Sequence, residues 1–193
     1  VTGRRHRAGD TPLFAWGDAL RADKMRRSKL RRRIAITGVG IVIVIASAAL
    51  PPAPRLVWNA SASAPIGLYA VSPGAAVDTS DMVIARVPEP FRQLAAERRY
   101  LPMNVPLVKR VTAIAGDEIC ALGQEIFVNG RWTAERRLAD GRGRPMPAWS
   151  GCIRLRGGQL FLLMENPASF DGRYFGATEG RDVIGKARLL WRR

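Results

Sequence analysis

Histidine is almost missing from this 193-residue chain: His6 is the only one. Cysteine is nearly as scarce, with Cys120 and Cys152 alone, and only four of the 31 basic side chains are lysines. No G-x-x-x-x-G-K-[ST] run occurs, so a phosphate-cradling loop of that kind is absent. Two cysteines without a nearby histidine fall short of a four-ligand zinc site, and no metal or other cofactor is expected. Ser-His-Asp and Cys-His devices need a histidine beside the nucleophile, and His6 precedes an uncharged run expected to span a membrane, on the opposite side from the rest of the candidate groups. A hydrolase built from this chain must therefore take its base from Lys, Asp or Glu.

The charge is plentiful and unevenly placed. The net charge is +15, which raises nucleic acid as a partner. However, the dense block is Arg26, Arg27, Lys29 and Arg31 to Arg33, immediately before Ile34 to Leu50, a run of 17 residues without a charge. As a helix that run spans about 25 Å, at the short end of the transmembrane range. A cleaved signal peptide is the competing reading. Only Arg55 closely follows the run, so the positive-inside rule places residues 1–33 in the cytoplasm and 51–193 outside it. The basic block then reads as a topology signal, and no nucleic-acid partner is expected. The organisation expected is a basic tail (1–33), a single transmembrane anchor (34–50) and an exported domain (51–193). Two cysteines in an oxidising compartment read as one disulfide closing a loop of about 30 residues; buried free thiols are the other reading.

Beyond Pro51-Pro52-Ala53-Pro54 the chain breaks into short β-like runs separated by Gly, Pro and Asp: Ile66–Val71, Met82–Val87, Leu107–Ala115, Glu125–Val128, Gln159–Met164 and Val183–Leu190. Asn129-Gly130 predicts a two-residue hairpin turn. Pro90 to Leu101 is the best helix segment, and residues 134–151 read as a long excursion. The pattern predicts a mainly β domain of antiparallel sheet with short helices.

Within the exported part only Lys109 and Lys186 remain. Lys109 lies in Leu107-Val108-Lys109-Arg110-Val111-Thr112-Ala113, and in a regular strand Leu107, Lys109, Val111 and Ala113 share a face. A lysine among apolar neighbours loses hydration of its charged form and can become a base for a serine hydroxyl. A snorkelling lysine at a strand end is the alternative. Ser63, in Asn59-Ala60-Ser61-Ala62-Ser63-Ala64-Pro65-Ile66-Gly67-Leu68-Tyr69, is the nucleophile candidate, with Ser61 placed to lend a hydroxyl to an oxyanion. Such a stretch also serves as linker. In Asn166-Pro167-Ala168-Ser169-Phe170-Asp171-Gly172-Arg173, Asp171 and Arg173 can pair to hold a loop, or the segment is an ordinary turn.

Taken in order, these three segments resemble the type I signal peptidase family. N-A-S-A-S-A-P-I-G-L-Y looks like the nucleophile box of its TraF-like conjugative transfer branch. P-L-V-K-R-V-T-A-I-A-G-D looks like the lysine box, and M-E-N-P-A-S-F-D-G-R-Y-F-G like the last box. The resemblance implies Ser63 as nucleophile, Lys109 as general base, Ser169 beside the lysine, Asp171 and Arg173 as a supporting pair, and a structural Lys186. It also supports a Cys120–Cys152 bridge. Housekeeping members usually carry Met after the nucleophile and Asp-Ser-Arg in the last box, where this chain has Ala64 and Asp171-Gly172-Arg173. The function implied is a serine endopeptidase of the bacterial inner membrane, its catalytic domain periplasmic. It would cleave, and in one variant of the reaction cyclise, an exported pro-pilin. A general signal peptidase and a non-catalytic membrane-tethered β module of a secretion apparatus are the alternatives.

Overall fold

The computed structural model describes residues 12–49 and 54–193. The chain divides into two compact units, Val1–Pro52 and Ala53–Arg193. In the first, α1 (Pro12–Ala49) is one helix of 38 residues. The basic block and the apolar run up to Ala49 therefore share one helix. From Ile34 to Ser47 the apolar run is exposed, with Ile34, Val39 and Val44 all more than half accessible. Among the described residues no helix is long and apolar enough to cross a membrane. The expected anchor is thus matched by a helix but not by a full span. His6, Leu50 and Pro51 to Ala53 lie outside the described residues.

The second unit is mainly β and antiparallel, as expected. Its elements are β1 (Leu56–Asn59), β2 (Gly67–Ser72), β3 (Met82–Ala85), α2 (Glu89–Glu97), β4 (Leu107–Ala113), β5 (Glu118–Leu122), β6 (Glu125–Val128), β7 (Arg131–Glu135), β8 (Gly151–Arg154), β9 (Phe161–Leu163), α3 (Gly172–Phe175) and β10 (Val183–Arg192). They form a six-stranded sheet, β1-β2-β10-β3-β4-β9, and a four-stranded sheet, β7-β6-β5-β8. Asn129 (φ 50°) and Gly130 (φ 74°) turn β6 into β7, the left-handed pair a type I′ hairpin requires. The helix expected at Pro90 to Leu101 runs from Glu89 to Glu97, with Pro90 in its first turn, where no backbone N–H is needed.

The two sheets pack through Ala113, Ile119, Ala121, Ile126, Phe161 and Leu163. A second cluster backs the segment after β1, joining Ala64 to Tyr69, Ile84, Val108 and Met164. A third seats α2 against Leu107, Phe170, Tyr174 and Phe175. The shared face expected along β4 fails at its end. The ladder with β9 is bulged between Val111 and Ala113, so Val111 packs with Val83 and Leu162 while Ala113 packs with Phe161. An extra residue in one strand reverses the alternation beyond it.

Candidate active site

Three chain segments meet around one amine. β4 carries Lys109, the β1–β2 connection carries Ser61 and Ser63, and the β9–α3 connection carries Ser169. Lys109 Nζ lies 3.2 Å from Ser63 Oγ and 2.5 Å from Ser169 Oγ. Lys109 is 2% exposed, so it does not snorkel. Burial holds its pKa down at about 8. The negative charge of Asp171 works against that shift and the guanidinium of Arg173 adds to it. Burial dominates because an ammonium without water is the unfavoured form.

The loop that carries Ser61 and Ser63 owes its shape to Asn59, a buried residue at the end of β1. Its Nδ2 donates to the carbonyls of Ser61 (2.9 Å), Ala64 (3.1 Å) and Pro65 (3.1 Å). Its Oδ1 accepts the Ser61 N–H at 3.1 Å. The Tyr69 hydroxyl also donates to the Pro65 carbonyl, at 2.8 Å. Where the loop rejoins the sheet, Gly67 faces β10 so closely that a Cβ would stand 2.0 Å from the Trp191 carbonyl oxygen. Only glycine fits there. Ser61 Oγ lies 3.0 Å from Ser63 Oγ and accepts the Ser63 N–H at 3.3 Å. The two groups expected to receive an oxyanion are therefore adjacent and bonded to each other. Asn59 was not singled out from sequence; the available signal is an Asx turn, an Asn opening a Ser-rich connection.

Behind the lysine, Asp171 and Arg173 do pair, with Nε and Oδ1 3.4 Å apart and both side chains almost wholly buried. Asp171 caps α3 by accepting the Arg173 N–H (3.2 Å) and accepts the Met164 N–H (3.1 Å). Arg173 donates to the carbonyls of Asn166 and Met164. Burial pushes the Asp171 carboxyl pKa up, against the pull of Arg173 and Lys109. Gly172 has no room for a side chain: a Cβ would lie 2.7 Å from the Phe161 ring and 2.9 Å from the Leu162 carbonyl. A serine in this position would collide with β9.

Lys186 stands apart, in a 2.6 Å ion pair with Asp81 at a half-exposed position. Cys120 and Cys152, directly opposed on β5 and β8, form a disulfide. Ser63 and Lys109 line one end of a cavity that continues past Tyr100, Leu101, Met146 and Phe170. The last four were not foreseen as site residues. Among the described residues the one group of metal-type ligands is Glu118 with the two cysteines, whose sulfurs are spent in the disulfide. The arrangement at Lys109 can move a proton from a hydroxyl to an amine in a dry setting.

The chain was compared with known proteins. Residues 30–192 match the family model described as signal peptidase, peptidase S26. A plasmid transfer protein TraF of Escherichia coli is 32% identical over 180 residues, covering 86% of this chain and 99% of that protein. A probable conjugal transfer protein TraF of Sinorhizobium fredii is 32% identical over 143 residues, covering 67% of this chain and 73% of the relative. A signal peptidase I crystal structure from Enterococcus faecalis aligns with TM-score 0.34 and 18% identity, covering 61% of this chain and 98% of that one. The chain belongs to the peptidase S26 signal peptidase family, among its TraF-like members.

Proposed function

We propose that the protein is a membrane-bound serine endopeptidase that processes an exported pilin precursor in conjugation, with Ser63 as nucleophile and Lys109 as general base. The observation that carries this reading is the buried Lys109 Nζ at 3.2 Å from Ser63 Oγ. The neutral amine accepts the Ser63 proton as Oγ attacks a peptide carbonyl. The Ser169 hydroxyl holds the amine, leaving its lone pair to face Ser63. The oxyanion is received by the Ser63 N–H and the Ser61 hydroxyl, which exchange each other for the substrate oxygen. As the C–N bond breaks, the Lys109 ammonium returns the proton to the leaving amine. Water, or the precursor's own terminal amine, then attacks the Ser63 ester with Lys109 again as base. The first gives a cleaved product and the second a cyclic one. The plasmid and conjugal transfer names of the relatives support a role in conjugation.

The charge step at the start of the apolar run supports an inner-membrane location with the peptidase unit outside the cytoplasm. An alkaline phosphatase fusion after Arg193 should be active; an inactive fusion of normal abundance refutes the orientation. The dyad is tested with Ser63→Ala and Lys109→Ala in cells carrying the cognate precursor, followed by mass spectrometry. Both variants should leave the precursor unprocessed. Full processing in either one removes that residue from the mechanism.

A further inference from the structure

Residues 60–66 link β1 to β2 and carry Ser61 and Ser63. Ala64 is the one side chain of the link that is fully buried, so core packing pins the link at a single point. Ser61 is exposed, and packing alone would leave its hydroxyl to water. The rest of the hold comes from one amide. Asn59 is 7% exposed, and its Nδ2 donates to three carbonyls of the link, those of Ser61 (2.9 Å), Ala64 (3.1 Å) and Pro65 (3.1 Å). Its Oδ1 accepts the Ser61 N–H at 3.1 Å. Asn59 borders the cavity beside Ser63, but both polar atoms of its amide are engaged with the link.

The direction of these bonds has a chemical consequence. Three carbonyl oxygens, the negative ends of the link's peptide dipoles, converge on Asn59 Nδ2 and are held there. The bond from the Ser61 N–H to Oδ1 fixes the backbone from which Ser61 Oγ projects, and that oxygen lies 3.0 Å from Ser63 Oγ and accepts the Ser63 N–H at 3.3 Å. A carbonyl free to swing toward Ser63 would set a negative end against a developing oxyanion. Donors already in place stabilise that charge without reorganisation during the reaction. The residue type matters as well as its shape. An aspartate here would keep an acceptor for the Ser61 N–H but bring a second oxygen, with no proton to donate, against three carbonyl oxygens.

We infer that Asn59 is the positioning residue of the oxyanion site, acting through Ser61 to hold the Ser61 hydroxyl and the Ser63 N–H where a tetrahedral intermediate needs them. This rests on the peptidase reading. Among the described residues the hydrogen bonds of the Asn59 side chain go to the link alone, so its effect falls on the transition state and spares the amine of Lys109. Asn59→Ala should lower kcat by about a hundredfold, the low end of what losing one oxyanion donor costs, with KM little changed. Asn59→Asp should lower it further.

The test uses the full chain in detergent and three probes: a quenched peptide spanning the bond cleaved in the precursor, a peptide aldehyde ending at that bond, and the same peptide with the aldehyde reduced to an alcohol. Ser63 Oγ adds to the aldehyde carbon, its proton leaving for Lys109 or the new oxygen, and that oxygen occupies the oxyanion position; the alcohol cannot react. Asn59→Ala should bind the aldehyde about a hundredfold more weakly and the alcohol as the wild type does, a split that a smaller fraction of folded enzyme would not produce. Its kcat should still climb with pH through about 8. Asn59→Ser is the milder change if the Ala variant does not fold, and is read the same way. Wild-type kcat and aldehyde affinity in the variant, an equal loss for aldehyde and alcohol, or a displaced pH limb each overturn the assignment and leave the peptidase standing. A wild-type chain that cleaves no peptide, binds the aldehyde no better than the alcohol and takes up no penem at Ser63 overturns both.

Discussion

The two sheets of the second unit carry opposite kinds of interior. Around the six-stranded sheet, polar side chains are sealed in: Asn59, Lys109, Ser169, Asp171 and Arg173 are each less than a tenth exposed. The four-stranded sheet buries an apolar seam and leaves β8 exposed at its edge, held by its ladder to β5 and by the disulfide. Burying an amine costs stability, and a covalent staple adds it. The contrast teaches that chemistry and robustness are assigned to different layers of the same small domain.

The sharpest way to break the comparison is at the dyad. Ser63→Ala or Lys109→Met should cut peptide cleavage by about 10⁴-fold or more, read by kcat/KM on a cleaved peptide. With the neutral amine as the proposed base, the wild-type rate should climb with pH through about 8. A flat profile from pH 6 to 9 would discredit Lys109 as base. Asp171→Ala comes next. It strands a buried Arg173, and about 3–5 kcal/mol of stability should go, measured by urea unfolding. The double variant Cys120→Ala/Cys152→Ala opens a 32-residue separation and should lose about 3–4 kcal/mol, with the Ser63 penem reaction kept. A double variant that melts like the wild type would mean that β8 needs no staple.

Smaller, and opposite in sign, is the stability effect at Lys109 itself. Its folded pKa lies below its unfolded value of 10.5, at about 8. The unfolded chain therefore binds more protons between these values, and wild-type stability rises with pH across that window. Lys109→Met should thus be more stable than wild type by about 3 kcal/mol at pH 7, less the two lost hydrogen bonds, with the advantage shrinking toward pH 10.5. A constant difference across the window would contradict the desolvated amine. Last is the other lysine: Lys186→Met removes a half-exposed pair with Asp81 and should cost under about 1 kcal/mol.

Legibility followed local physics. β6 was read to the residue and Asn129-Gly130 as a two-residue hairpin turn, because both depend on neighbours within the same few positions. β8 escaped, since all four of its residues are exposed and it carries no alternation to read. Its strand character comes from pairing with β5. β5 was hidden behind its Glu and Ala, and β1 behind the prolines before it. Lys109 stood out by scarcity of alternatives and Ser63 by the resemblance of its segment. Tyr100 and Met146 beside the same cavity did not, because no local rule links residues so far apart.

The sequence alone narrowed which chemistry was open to this protein: with a single histidine before the apolar run and two lysines after it, the partner expected for a serine was an amine or a carboxylate. It also determined the local turns and most of the strands. Only the folded chain decided that Lys109 rather than Lys186 is dry, that Asn59 ties the loop carrying Ser63, and that a cavity lies beside Ser63 and Lys109. Hydration of a side chain is set by everything packed around it, and here that packing is assembled from segments tens of residues apart.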